Sequence, residues 1–138
     1  MTFTRRQAIA TGTGFAVALA LPLPARAALE DTIAEFTAGA AVGEGGITLT
    51  APEIAENGNT VPVEVDAPGA VAVMLLASGN PSPDVCTFSF GSLAGAQRAS
   101  TRIRLAGTQD VIAIAKMGDG SFTRTQSTVK VTIGGCGG

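Results

Sequence analysis

The stretch DVIAIAKMGDGSFTRTQSTVKVTI, residues 110–133, reads as one β-hairpin. DVIAIAKM (110–117) is its first strand, and Gly118-Asp119-Gly120 supplies the turn. SFTRTQSTVKVTI (121–133) returns with Val129, Val131 and Ile133 on one side. Working back from this hairpin, a period of two recurs at steady intervals. Thr101, Ile103 and Leu105 alternate with Ser100, Arg102 and Arg104, and Cys86, Phe88 and Phe90 share a face opposite Val85, Thr87 and Ser89. AVAVMLLA (70–77) is apolar throughout, the pattern of a strand buried on both faces. Val61, Val63 and Val65 alternate with Pro62, Glu64 and Asp66, and Ile47–Thr50 opens the series. Turn residues separate these runs: Asn57-Gly58, suited to a positive-φ turn, and Asn80-Pro81-Ser82-Pro83. About seven strands spaced in this way predict an immunoglobulin-like antiparallel β-sandwich. With no Trp and no Tyr, it lacks both the buried tryptophan and the tyrosine corner common in that fold.

Upstream of the strands, Leu29, Ile33, Phe36 and Ala40 recur at helical spacing, and Glu30 and Asp31 sit where a helix N-terminus favours negative charge. One short helix is expected there, ended by Gly43, Gly45 and Gly46. The chain of 138 residues is 46% hydrophobic and 14% charged, enough for one core and not two. Six Phe are its only aromatics, so that core is aliphatic.

Residues 1–27 read as an export signal and are set apart from the fold. Arg5-Arg6 precedes an apolar stretch from about Ala8 to Leu23, and Ala25-Arg26-Ala27 forms a small-residue cleavage site, so the mature chain is expected to begin at Ala28. Gly12, Gly14, Pro22 and Pro24 interrupt the run, which falls short of the roughly 20 apolar residues a membrane span needs. No membrane insertion of the mature chain is expected. The paired arginines resemble a twin-arginine signal, the route for already folded proteins, although Gln7 and Ala8 stand where that pattern places a bulky apolar residue. Loss of Arg5, Arg6 and Arg26 takes the basic residues from nine to six against eleven acidic ones, a net charge of about −5. Such a domain is a poor match for nucleic acid, whose phosphates call for Lys and Arg, and for anionic membranes.

The chain contains no His, which removes the commonest general base and the commonest metal ligand. Lys116 and Lys130, its only lysines, occupy polar strand positions and read as solvated rather than catalytic. Two cysteines 50 residues apart make no zinc site, and Gly12-Thr13-Gly14 lies inside the signal, not in a nucleotide loop. Neither a metal nor an organic cofactor is expected. Arg102 and Arg104 leave three readings open: an anion clamp, a polar outer face partnered by Glu64 or Asp66, or the rim of a partner interface.

Two cysteines in an exported chain ordinarily suggest a disulfide. Cys86, in register with Phe88 and Phe90, reads instead as a small buried hydrophobe in a strand. Cys136 stands between Gly134-Gly135 and Gly137-Gly138, past the last apolar strand position. A bridge fastening only residues 134–138 would add little order to the fold, whereas glycine, with no Cβ, makes the segment a tether with no local conformational preference. Three residues separate Ile133 from Cys136, a reach of roughly 10 Å when extended. The segment is slim enough for the thiol and any group on it to pass down a narrow tunnel in another protein.

The terminal VTIGGCGG (131–138) resembles the GGCGG swinging arm of the SoxY family, sulfur carriers of the thiosulfate-oxidising system. PEIAENGNTVPVEV (52–65), NPSPDV (80–85) and TRIRLAGTQDVIAIAKMGDGS (101–121) resemble segments of the same family, so the similarity runs from about residue 29 to 138. The resemblance implies a sulfur carrier and not an enzyme, with a β-sandwich carrier domain over 28–133 and a swinging arm over 134–138. It implies that Cys136 bears the sulfur covalently, as an S-thiosulfonate and then a persulfide, with Gly134, Gly135, Gly137 and Gly138 as its flexible flanks. It further implies a periplasmic location and a heterodimer with a SoxZ-like β-sandwich subunit. Visiting enzymes would be a SoxAX-like cytochrome, a SoxB-like hydrolase and a SoxCD-like dehydrogenase. Cys86 is no part of the carrier motif. A different class of reading also stands: a structural or interaction sandwich whose Cys136 forms an intermolecular disulfide. A thiol enzyme would need a base near Cys136, and the sequence supplies no His for it.

Overall fold

The structure is a computed structural model that describes residues 25–133. In chain order the elements are α1 (Ala25–Thr37), β1 (Val42–Glu44), β2 (Thr48–Thr50), β3 (Ile54–Ala55), β4 (Val61–Asp66), β5 (Ala70–Ala77), β6 (Asp84–Ser89), β7 (Arg98–Ile103), β8 (Gln109–Met117) and β9 (Phe122–Val131). One sheet runs β1-β9-β8-β5-β6 with β3 also on β9, and the other runs β2-β4-β7.

The 110–133 hairpin forms as expected. Lys116 pairs with Phe122 and the ladder runs without a slip to Gln109 opposite Val129. Gly120 takes φ +86°, a value that favours glycine, and Met117 N–H donates to the Ser121 carbonyl (2.8 Å) to close the turn. Among the described residues there are nine strands rather than about seven. The additional pair, β1 and β3, lie parallel to β9 along its outer edge, Val42 opposite Phe122 and Ile54 opposite Lys130, so the larger sheet is mixed rather than wholly antiparallel.

Alternation sorts the core. Val61, Val63 and Val65 of β4 point inward and meet Val73, Leu75, Val111, Ile103, Leu105 and Val129 in one aliphatic cluster between the sheets. Leu75 pairs with Ala113 and Val73 with Ala115, so a large side chain stands beside a small one across β5 and β8. The intervening residues Met74, Leu76, Ile112 and Ile114 face the other way and are covered by Leu29 and Ile33 of α1, with Phe36 alongside. This is why 70–77 lacks alternation: from Val73 onward a sheet lies on one side and a helix on the other. Phe36 meets Phe122 edge to face, ring centroids 5.9 Å apart, and ties the helix to the start of β9.

The helix departs from expectation at both ends. It stops at Thr37, before Gly43, because Ala38 (φ +53°) and Gly39 (φ +76°) turn left-handed and Gly39 N–H donates back to the Ala34 carbonyl (3.1 Å). Gly43 lies in β1, and Ala40 falls beyond the helix and is exposed. The helix begins at Ala25, inside the segment read as a signal, so Glu30 and Asp31 lie beyond its first turn. A chain beginning at Ala28 would place both of them in it.

Candidate functional site

The site is built around the end of β9, where the fold hands over to the terminal segment. On one side Lys130 N–H donates to the Glu53 carbonyl (2.9 Å) and Thr132 N–H to the Ala55 carbonyl (3.0 Å), and the Thr132 hydroxyl reaches the Glu56 carbonyl (3.1 Å). On the other side the β8 ladder ends at Gln109, and the Thr108 hydroxyl takes over by accepting the Val131 N–H (3.0 Å). The last tie is a backbone one: Gly58 N–H donates to the Ile133 carbonyl (2.8 Å), while the Gly58 carbonyl accepts the Leu105 N–H (2.7 Å). One buried residue, Gly58, thus bridges the end of β9 to the loop after β7. Gly58 lies in the expected turn without positive φ; Asn57 shapes it by accepting the Asn59 N–H on its side-chain oxygen (2.9 Å).

Behind this clamp lies a closed polar network. Asn80 and Gln109 are buried, and every partner is accounted for. Asn80 Nδ2 donates to the Arg104 carbonyl (2.8 Å), and Asn80 Oδ1 accepts from Ala106 N–H (2.9 Å) and from Gln109 Nε2 (2.8 Å). Gln109 Oε1 accepts the Gly79 N–H (2.8 Å), and Gln109 Nε2 also donates to the Gly107 carbonyl (3.1 Å). Two loops, 78–83 and 104–108, are locked together, and Thr108 holds Val131 from the second of them. Sequence alone gives no sign of this network, because Asn80 reads only as a turn residue and Gln109 falls just outside the strand read from Asp110.

Cys136, Gly134, Gly135, Gly137 and Gly138 lie outside the described residues. Ile133, expected to continue the inward face of Val129 and Val131, is 68% exposed, because the neighbouring strands have ended by that point. Ile54 on adjacent β3 is 58% exposed.

The remaining expectations divide. Lys116 and Lys130 are exposed on their strands. Arg102 and Arg104 alternate outward as read, but neither forms an ion pair with Glu64 or Asp66. The register sets Arg102 opposite Pro62 and brings Arg98 to Glu64 instead. The Glu64 hydrogen bond and charge raise the Arg98 guanidinium above its ordinary value. Arg102 borders an open hollow of about 590 Å³ with Thr50, Pro62, Glu64 and Ser100 on the outer face of the smaller sheet. Cys86 is half-buried rather than fully enclosed, packs against the intersheet core and is a free thiol. Burial, and then the neighbouring Asp84 charge, raise its pKa and so disfavour the thiolate. Among the described residues no three of Cys, Asp and Glu gather as a metal site.

The comparisons with known proteins agree with this arrangement. A family model described as sulfur oxidation protein SoxY matches residues 33–136, a match that ends on Cys136. Among solved structures, the sulfur carrier protein SoxY from Chlorobium limicola f thiosulfatophilum is 33% identical, with a TM-score of 0.70 over 78% of this chain and 95% of that one. A superoxide reductase (neelaredoxin) from Ignicoccus hospitalis is 15% identical, with a TM-score of 0.56 over 64% of this chain and 82% of that one. A putative superoxide reductase from Thermotoga maritima is 14% identical, with a TM-score of 0.52 over 62% and 84%. These last two share the fold alone. No curated protein matches the chain in sequence. The class is therefore that of a sulfur carrier in sulfur oxidation, not an enzyme. The chain belongs to the SoxY family, and its partners are those of that oxidation system.

Proposed function

We propose that Cys136 is the covalent attachment point of this carrier and that residues 134–138 are the arm presenting it to successive enzymes. One observation carries the reading: the fold clamps the chain as far as the Ile133 carbonyl, and three residues later comes a cysteine flanked only by glycine. In the loading step the Cys136 thiolate and thiosulfate join through a new S–S bond to give an S-thiosulfonate. The thiol proton goes to solvent and two electrons go to a haem enzyme of the SoxAX type. Water then attacks the terminal sulfonate sulfur on a SoxB-type hydrolase, releasing sulfate and leaving a Cys136 persulfide. A SoxCD-type dehydrogenase takes up the electrons as the remaining outer sulfur is oxidised to a sulfonate with oxygen from water and protons released to solvent, and hydrolysis then frees sulfate and restores the Cys136 thiol. The carrier needs no cofactor beyond the adduct itself, and it works as a heterodimer with a SoxZ-like subunit in the periplasm.

Export uses the Arg5-Arg6 signal with cleavage after Ala27; replacing both arginines by Lys should leave precursor in the cytoplasm. The test of the carrier reading is intact-mass spectrometry, without reductant, of protein from its native host grown on thiosulfate. Sulfur-containing adducts should map to Cys136 and vanish in Cys136→Ser. A chain found only as a Cys136-linked disulfide would sink the carrier site and support a structural role.

A further inference from the structure

We propose that Asn57-Gly58 is a self-modification site gated by the end of β9. When the Ile133 carbonyl releases Gly58, the Gly58 nitrogen attacks the Asn57 side chain, and the iso-aspartyl product stops β9 from being fastened again.

The chemistry singles out one position among the chain's three asparagines. Asn80 precedes Pro81, which has no N–H to lose, and Asn59 precedes Thr60, whose branched Cβ crowds the attacking nitrogen. Asn57 precedes glycine, which has no Cβ to hinder ring closure, and is itself exposed to solvent. In the ring-closing step a bond forms between the Gly58 nitrogen and Asn57 Cγ, and the bond from Cγ to Nδ2 breaks. The Gly58 proton leaves with the side-chain amide as ammonia, and no atom is oxidised or reduced. Water then opens the succinimide. Attack at the side-chain carbonyl gives aspartate, whereas attack at the main-chain carbonyl leaves Gly58 joined through the side chain, as iso-aspartate.

The fold restrains this step at the atom the step needs. Gly58 N–H is given to the Ile133 carbonyl (2.8 Å) and the Gly58 carbonyl is pinned by Leu105 N–H (2.7 Å), so the nitrogen can neither shed its proton nor swing toward Cγ. The Asn57 side chain is engaged as well, accepting the Asn59 N–H on Oδ1 (2.9 Å). The restraint is weaker on one side. Gly58 is buried, but the Ile133 side chain is 68% exposed, so little packing holds its carbonyl in place. A strand end of this kind opens more often than the sheet behind it. Iso-aspartate then lengthens the main chain by one carbon ahead of Gly58, whose N–H and carbonyl can no longer meet Ile133 and Leu105 together. The change is permanent.

The test follows the full carrier at mildly alkaline pH by mass spectrometry, with a peptide of residues 53–62 as the unclamped reference. Wild-type carrier should deamidate at Asn57 roughly tenfold or more slowly than the peptide, by the same factor that the fold protects the Gly58 amide from solvent exchange. Thr108→Val, which loosens Val131, should change both rates in the same proportion. Deamidation of the folded carrier at the peptide rate, or a Gly58 amide that exchanges faster while deamidation does not, would overturn the gate. Iso-aspartyl carrier, separated from its parent, should lose protection at the Leu105 amide, which Gly58 holds directly. Asn57→Asp adds the charge without the extra main-chain carbon and should keep that protection. A Leu105 amide as protected in the iso-aspartyl carrier as in the wild type would overturn the unfastening.

Discussion

At the end of the sandwich where β9 leaves, loops 78–83 and 104–108 are joined through two buried amide side chains, Asn80 and Gln109, and the chain is tied down to its last described residue. At the opposite end the links are mostly backbone turns. Gly118 N–H donates to the Gly69 carbonyl (2.9 Å), Ala94 N–H to the Gly91 carbonyl (3.0 Å), and Asp119 accepts from Ser121 within the hairpin turn. There Leu93 stands 96% exposed on the loop between β6 and β7. Buried polar networks are costly unless complete and rigidifying once complete. The fold places its complete one where β9 ends, and leaves the far end to ordinary turn chemistry.

The largest effect expected from this contrast is on Asn80. Asn80→Ala would strand the Arg104 carbonyl, the Ala106 N–H and part of Gln109, and should cost about 2–4 kcal/mol in urea unfolding. A loss below about 0.5 kcal/mol would mean that the network does not fasten this end. Thr108→Val keeps the shape and removes the acceptor for Val131 N–H, for a loss of about 1 kcal/mol. Its sharper signature is local: the Val131 amide should exchange faster with solvent while amides of β5 and β8 keep their protection. At the far end Leu93→Ser should change stability by no more than about 0.5 kcal/mol, and a larger loss would show that the exposed loop is packed after all.

The smallest change concerns the second thiol. In Cys136→Ser protein, Cys86 should alkylate slowly at neutral pH and speed up only above the ordinary thiol value of 9.0. The sign follows from its raised pKa: the folded state favours the protonated thiol, so this contribution to stability is intact below 9.0 and is lost as pH climbs through the higher folded value. Fast labelling at pH 7 would make Cys86 a competitor for sulfur.

Much of the sandwich was legible because its signals are local. The Gly118-Asp119-Gly120 turn, the alternation of Val61, Val63 and Val65, and its absence in 70–77 each report their own surroundings. β1 and β3 were missed because three and two residues carry no period, and their pairing partner β9 lies far along the chain. Which arginine meets Glu64 was likewise invisible, since the β4–β7 register decides it and no spacing encodes that register. The Asn80–Gln109 network joins residues 29 apart whose types also suit loops. For the terminal segment the situation is reversed: GGCGG is plain in sequence, and the clamp on the residues before it needed the fold.

The two short parallel strands on β9 have a further consequence. β9 is the longest strand, ten residues, and it would otherwise be the sheet's most inviting border for an unrelated chain to extend. With β1 over Phe122–Arg124 and β3 over Lys130–Val131, the bare edge of β9 is cut to the five residues 125–129, half its length. Both ends of the longest strand are thus closed to edge-to-edge pairing, the route by which such strands seed fibres.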